Sequence, residues 1–297
     1  MAHGNYVALF DVLGFEDRLN SIGLRGMLSR YEALIESVNY RATQIHDIFG
    51  TMGFSEAPYW AAGGDVFLFT KTHGTYASDS ILIWSNRTWT DVENDSDEVF
   101  RESSKNPEDG WKYHPVPCDN FLDVCSDLMC RGIEVGLPLR GAIAIGEAVL
   151  DPERKIFIGK PIVEAARLES GQNLVGASFC SSKSKQHVPP RYLLAFDRHI
   201  KESHRGLWGG AMLDWPRHWR RTRRSDLKSA VSALNTNPAY SKYYENTIDL
   251  VNFSEGFATQ HESLEEISIR TQYQQFAWSN TKLSVSARAV RMVPVRG

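Results

Sequence analysis

Two carboxylates stand where an apolar chain has little use for them. Asp11 closes Tyr6-Val7-Ala8-Leu9-Phe10, a β-prone run that reads as a buried strand. Asp79 occupies a tight turn directly before the apolar run Ser80-Ile81-Leu82-Ile83-Trp84. A carboxylate left uncompensated in an apolar wall is strongly disfavoured, so each requires a partner or a purpose. The local purposes are ordinary: Asp11 as N-cap of a helix opening at Gly14, Asp79 as a turn former. If the strands are neighbours, both carboxylates face one cleft. Paired carboxylates, phosphate oxygens and water are what Mg²⁺ or Mn²⁺ takes in phosphoryl-transfer sites.

Other chemistries lack their residues. Cys118, Cys125 and Cys130 are spaced seven and five apart and Cys180 stands alone, neither a zinc nor a disulfide-framework pattern. All four read as small buried apolar side chains. The histidines are scattered, with no HExxH pair, and no G-x-S-x-G elbow is present. The 33 Lys and Arg against 36 Asp and Glu leave a charge of −3, which removes any global attraction for nucleic acid. With 42% apolar and 23% charged residues among 297, the chain has material for one large domain or two small ones and is not composed like a disordered segment. No run approaches the roughly 18 apolar residues that cross a bilayer. Residues 1–6 carry no basic n-region, so a cytoplasmic protein without a membrane partner is expected.

The elements in between must bring Asp11 and Asp79 together. Leu24, Met27, Leu28, Tyr31, Leu34, Ile35, Val38, Ile45, Ile48 and Phe49 recur at helical spacing and predict a long amphipathic helix. A turn at 62–64 leads to a second strand over 66–69, whose short link to 80–84 predicts an antiparallel hairpin. Residues 86–117 are acidic and then rich in Pro, Gly and Ser, the composition of a solvated insertion. A helix over 121–129, a small-residue strand over 139–149, a turn into 155–158 and a helix opened by Gly159-Lys160-Pro161 follow. Beyond 172 the pattern predicts strands at 192–196 and 211–215 and helices at 226–234, 240–253 and 263–278. This order implies an α+β architecture, a mixed or antiparallel sheet with helices on one face. Its core spans 1–172, and an extension over 173–297 completes or flanks it. Within the extension Arg217, Arg220, Arg221, Arg223 and Arg224 lie beside Trp215 and Trp219. Cations beside stacking aromatics can bind single strands, although a solvated basic face paired with acids elsewhere is the plainer reading and a triphosphate contact a third.

Four segments, in order, resemble class III nucleotidyl cyclase catalytic domains. Phe10-Asp11-Val12-Leu13-Gly14-Phe15 resembles their F-x-D-[IV]-x-G-F strand-turn, and Ser78-Asp79-Ser80 the G-D turn that carries a second metal carboxylate. Residues 139–148, LRGAIAIGEA, resemble their R-x-G strand, and 159–169, GKPIVEAARLE, their G-x-x-V-N-x-A-A-R-L-E helix. Each segment is weak alone; their order over residues 6–170 is the specific signal. The resemblance implies a ferredoxin-like core and two divalent cations, Mn²⁺ or Mg²⁺, held by Asp11, Asp79 and the backbone carbonyl of Val12. It implies that Arg167 steadies the transition state across a head-to-tail homodimer with two composite sites. Asp65 competes with Asp79 for the second carboxylate. Asp79 is preferred because Asp65 leaves the 80–84 match unused.

At the positions where the family reads its base, this chain departs from the purine pattern. Thr75 stands four residues before Asp79, where adenylate cyclases carry a Lys. Ile156 stands three before Gly159, and Val163 replaces the helix Asn. Phe10, beside Asp11, completes the base-pocket positions. Metal and transition-state residues are kept while purine readers are lost, and a site built to hydrogen-bond adenine loses specificity without them. Together with the Ser-Asp-Ser turn and the long insertion, this resembles the bacterial pyrimidine cyclases of Pycsar anti-phage systems. The resemblance implies conversion of UTP to 3′,5′-cyclic UMP, a messenger for a separate effector. The alternatives are a cytidylate cyclase making cyclic CMP and a non-catalytic, cyclase-like nucleotide-binding module.

Overall fold

Alternate residues of β1 (Asn5–Val12) turn to opposite faces of one sheet, and both faces are covered. The structure is a computed structural model that describes residues 5–47, 50–54, 59–62, 65–68, 72–85, 112–115, 119–181, 188 and 190–257. After β1 come α1 (Phe15–Thr43), interrupted at Gly23 with φ +71°, and the hairpin β2 (Gln44–Asp47) and β3 (Gly50–Phe54). Next are β4 (Tyr59–Ala62), β5 (Asp65–Leu68), β6 (Thr72–Ala77), β7 (Ser80–Ser85) and β8 (Lys112–Pro115). Then follow α2 (Asp119–Val135), β9 (Leu139–Gly146), β10 (Ala148–Asp151), β11 (Ile156–Gly159), α3 (Lys160–Ser170) and β12 (Gly176–Phe179). The last described elements are β13 (Leu193–Leu194), β14 (Met212–Leu213), α4 (Trp215–Thr222), α5 (Leu227–Ala233) and α6, a helix that begins at residue 241.

The main sheet runs β13-β14-β12-β9-β1-β7-β6, with β1 antiparallel to both β9 and β7, and β12 parallel to β9. Tyr6, Ala8, Phe10 and Val12 point to a core shared with α1 and α2 through Leu34, Phe121, Leu122 and Leu128. Val7 and Leu9 point the other way. There Ala142 and Ala144 of β9 receive Ala165 and Leu168 of α3. Leu150 and Phe157 of the β10–β11 hairpin cover Val7, Leu82 and Trp84.

Helices therefore cover both faces, which corrects the one-faced layer expected from element order. The reason is local: β1 and β9 are apolar at consecutive positions, and a strand without polar alternation needs cover on each side. The hairpin is corrected too. The partner of β7 is β6, joined to it by Ser78-Asp79, while β5 pairs with β4 and β8 in a separate sheet. The predicted long helix stops at Thr43, with Ile45 in β2, and the 139–149 strand breaks at Glu147. Ile48, Phe49, Cys118, most of the insertion and the 263–278 helix lie outside the described residues. Cys125, Cys130 and Cys180 are buried.

Residues 1–254 form one compact unit, and 255–297 a second of which 255–257 are described. Within the first, β12, β13 and β14 extend the sheet that β1 and β9 begin, and Leu213, Trp215, Val231, Tyr244 and Leu250 join the core under α2. Among the described residues no helix is long and apolar enough to cross a membrane.

Candidate active site

The register of β1 and β7 places Ser80 opposite Asp11, so Asp79 lies one step beyond the end of that ladder. A two-residue turn carries it there: Ala77 pairs with Ser80, and Ser78 takes φ +57°. Positive φ at the first central residue alone is the pattern of a II′ hairpin turn, whose twist suits the strands it joins. The Val12 amide donates to the Asp79 carbonyl at 3.1 Å, which ties the two segments by backbone. Asp11 is thus a ladder residue and not a helix cap, and its carboxyl lies close enough to that of Asp79 for the two to act on each other. Burial first, then the negative charges of Glu169 and Asp79, push the Asp11 carboxyl up to about 7, with Arg140 acting in the opposite direction.

On the other flank of β1, Asp11 pairs with Arg140 of β9. Arg140 Nη2 donates to Asp11 Oδ2 at 3.3 Å, and its Nε donates to Glu169 Oε1. Burial, outweighing Arg140, raises the Glu169 carboxyl above its ordinary range. Four charged side chains from β1, the β6–β7 turn, β9 and α3 therefore meet at one end of the sheet. Arg140 and Glu169 carried no role in the sequence analysis. The available signal was a lone Arg in the otherwise small and apolar segment LRGAIAIG and a Glu closing AARLE.

Tyr31 of α1 lies beside them. Burial, Asp79 and Asp11 all raise its hydroxyl above the ordinary phenol range. That hydroxyl is buried and has no hydrogen-bond partner among the described residues. Among the same residues no group of three His, Cys, Asp or Glu is placed to hold a metal ion. The carboxylate pair by itself still fits a hard cation that keeps water and takes oxygen from a phosphate, because such ions need only one or two protein carboxylates. Two carboxylates that repel each other, next to a buried hydroxyl without a partner among the described residues, offer oxygens that such an ion and its water satisfy.

The other sequence-selected residues fall in different places. Glu169 and Arg167 are two residues apart on α3, about 200° around the helix. Glu169 turns in to Arg140, while Arg167 is exposed and its side chain has no hydrogen bond or ion pair among the described residues. Val163, one turn back on the Arg167 face, is 50% exposed. Thr75 lies half-buried on edge strand β6 opposite Leu82, and Ile156 begins β11 opposite Asp151. Phe10 is corrected as a base-pocket position: it is fully buried in the α1–α2 core, on the sheet face away from Asp11. The rings of Tyr76 and Phe157 lie 6.0 Å from Tyr31 and 5.4 Å from Trp84. Asp65 opens β5, outside the main sheet.

Three arginines of the basic cluster turn inward, while Arg221 and Arg224 are exposed. Trp215 and Trp219 of α4 are buried, which removes the stacking platform a single strand would need. Arg217 donates to the Arg191 carbonyl, Arg220 to Ser254, and Arg223 to Asp127 and Glu134. Compared with known proteins, the chain matches no protein-family model and no curated protein.

Proposed function

We propose that this chain is a pyrimidine nucleotide cyclase that converts UTP to 3′,5′-cyclic UMP and pyrophosphate, with CTP as the second-ranked substrate. In this reading two copies build two composite sites, and the cyclic product is a messenger for a separate effector in anti-phage defence. The observation that carries it is the pairing of Asp11 with Asp79, 68 positions apart in sequence, at the end of a sheet. Asp11, Asp79 and the Val12 carbonyl would hold the Mn²⁺ or Mg²⁺ ions. When bound, such ions offset triphosphate charge and lower the pKa of the ribose 3′-hydroxyl.

The chain's own residues do the rest. Asp11 must give up its proton to serve as a ligand. The 3′-oxygen then attacks the α-phosphorus in line, the bond to the β-phosphate oxygen breaks, and the hydroxyl proton passes to water. Arg167 faces away from its own carboxylate pair, so in this reading it neutralises transition-state charge in a partner's site. A cross-strand pair on the hairpin, Val149 and Ile158, and Val163 on α3 are 52%, 66% and 50% exposed, apolar surface of the kind a second copy would cover.

Incubation with each nucleoside triphosphate and Mn²⁺, followed by detection of cyclic product and pyrophosphate, tests the proposal. Turnover that Asp11→Asn and Asp79→Asn each abolish, and Asp65→Asn spares, is the expected result. Binding without turnover in the wild-type chain would instead establish the non-catalytic module.

A further inference from the structure

We infer that Arg140 is an exchangeable counter-ion for the Asp11–Asp79 pair. It leans on Asp11 while no cation is bound and withdraws onto Glu169 when one binds. Glu169, acting through Arg140, thereby sets how readily the pair takes a cation. The inference rests on the metal-binding reading of the pair.

Shielding makes the arrangement consequential. The side chains of Asp11, Arg140 and Glu169 are 25%, 14% and 10% exposed, so their charges act on one another more strongly than surface charges do. The two grips of Arg140 are unequal. Its Nε is bonded to Glu169, whereas Nη2 stands 3.3 Å from Asp11 Oδ2. That is beyond the roughly 2.7–2.9 Å of a full charge-assisted bond.

Arg140 also has support independent of Asp11. Its Nη1 reaches the Gln172 carbonyl at 3.5 Å, and the Tyr243 ring centre lies 5.9 Å away. Gln172 is itself held, because its side chain donates to the Gly141 carbonyl and accepts from the Ser178 hydroxyl at 2.7 Å. Ser178 in turn bonds His199 at 2.8 Å. Release of Asp11 thus leaves Arg140 still held by Glu169 and the Gln172 carbonyl. Asp11 has no such reserve: without Arg140 or a cation it is a carboxylate facing Asp79 and Glu169. A cation and Arg140 therefore compete for the same carboxylate.

The test is Mn²⁺ binding to the nucleotide-free protein, read from free Mn²⁺ by electron paramagnetic resonance and from calorimetry. Arg140→Met should tighten binding on the order of tenfold, since it deletes a positive charge beside the carboxylates. Glu169→Gln should weaken it by a similar factor, because Arg140 then settles on Asp11. The double variant decides the route. If Glu169 acts through Arg140, the double variant binds as Arg140→Met does; if Glu169 attracts the cation by its own charge, it binds more weakly and the inference fails. Arg140→Gln, which keeps a hydrogen bond to Glu169, replaces Arg140→Met should that variant not fold. Wild-type binding left unchanged by both Arg140 variants overturns the exchange alone. No Mn²⁺ binding to wild-type protein, with Asp11→Asn indistinguishable from it, overturns the metal site together with the exchange.

Discussion

Asp11 and Arg140 are cross-strand neighbours in the β1–β9 ladder, and their side chains meet 3.3 Å apart on the sheet face that also carries Ala142, Ala144, Ala165 and Leu168. A carboxylate at the end of an otherwise apolar strand is tolerated there because a cation stands in the next strand at the same level. The compensation is partial. Glu169 shares that cation, and Asp79 adds a second negative charge from the β6–β7 turn.

The partial compensation makes stability depend on pH. Asp11 titrates near 7 in the folded chain against 3.8 for its ordinary value, so between those limits the folded state holds the proton more tightly than the unfolded one. Its contribution to stability is whole below about 4 and is lost as pH rises through 7, and Glu169, also raised, adds in the same direction. Urea midpoints without metal should fall from pH 5 to pH 8. Asp11→Asn should flatten that slope, and Mn²⁺ should restore the midpoint at pH 8 in wild-type protein only. A midpoint that rises with pH in metal-free wild-type protein contradicts the assignment.

Arg167→Ala should lower cyclase turnover by a factor on the order of 10³, the usual contribution of a transition-state arginine. Fold stability should stay within about 0.5 kcal/mol, because the residue is an exposed helix position. Mixing Arg167→Ala with Asp11→Asn protein should recover part of the activity, since one of the two composite sites in a mixed dimer is then intact. A mixture that stays dead although subunits exchange rules out action in trans.

Base preference is read by competition among all four triphosphates at equal concentration. Cyclic UMP should dominate, with cyclic CMP second. Uracil and cytosine differ at the 4-position, acceptor against donor, so one polar side chain decides between them. Cyclic AMP or cyclic GMP as the main product refutes the pyrimidine assignment, whereas cyclic CMP refutes only the order.

Gly141→Ala should destabilise by about 1–3 kcal/mol, the usual cost of overpacking. A Cβ there would meet the Leu9 carbonyl oxygen at 2.8 Å and run into the ring of Phe10. Because Gly141 adjoins Arg140, Mn²⁺ affinity should shift as well. Calorimetric melting together with a Mn²⁺ titration reads both effects.

Trp219→Ala should cost about 3–5 kcal/mol, as for a buried aromatic, while Arg221→Ala on the exposed side of α4 should stay within about 0.5 kcal/mol. Neither should alter affinity for single-stranded RNA. A salt-sensitive RNA affinity lost in Arg221→Ala would revive a nucleic-acid role for this helix.

Much of the positioning framework is legible in the residues themselves. An apolar run marks β1, small residues mark β9, and Gly159 with Pro161 marks the start of α3, because strand burial and helix starts depend on neighbours within a few positions. Asp11 and Asp79 stand out for the same local reason, as charges against apolar runs. What tertiary structure alone decides is partnership. The β6 sequence THGTYA has too weak a pattern to announce itself as the mate of β7, so the hairpin was expected from the stronger apolar run at 66–69. The inward turn of Glu169 against the outward face of Arg167 depends on how α3 lies over the Ala142–Ala144 stripe. Arg140 becomes the counter-ion of Asp11 because strand register sets them level across 129 positions of sequence, a distance over which local patterning carries no information.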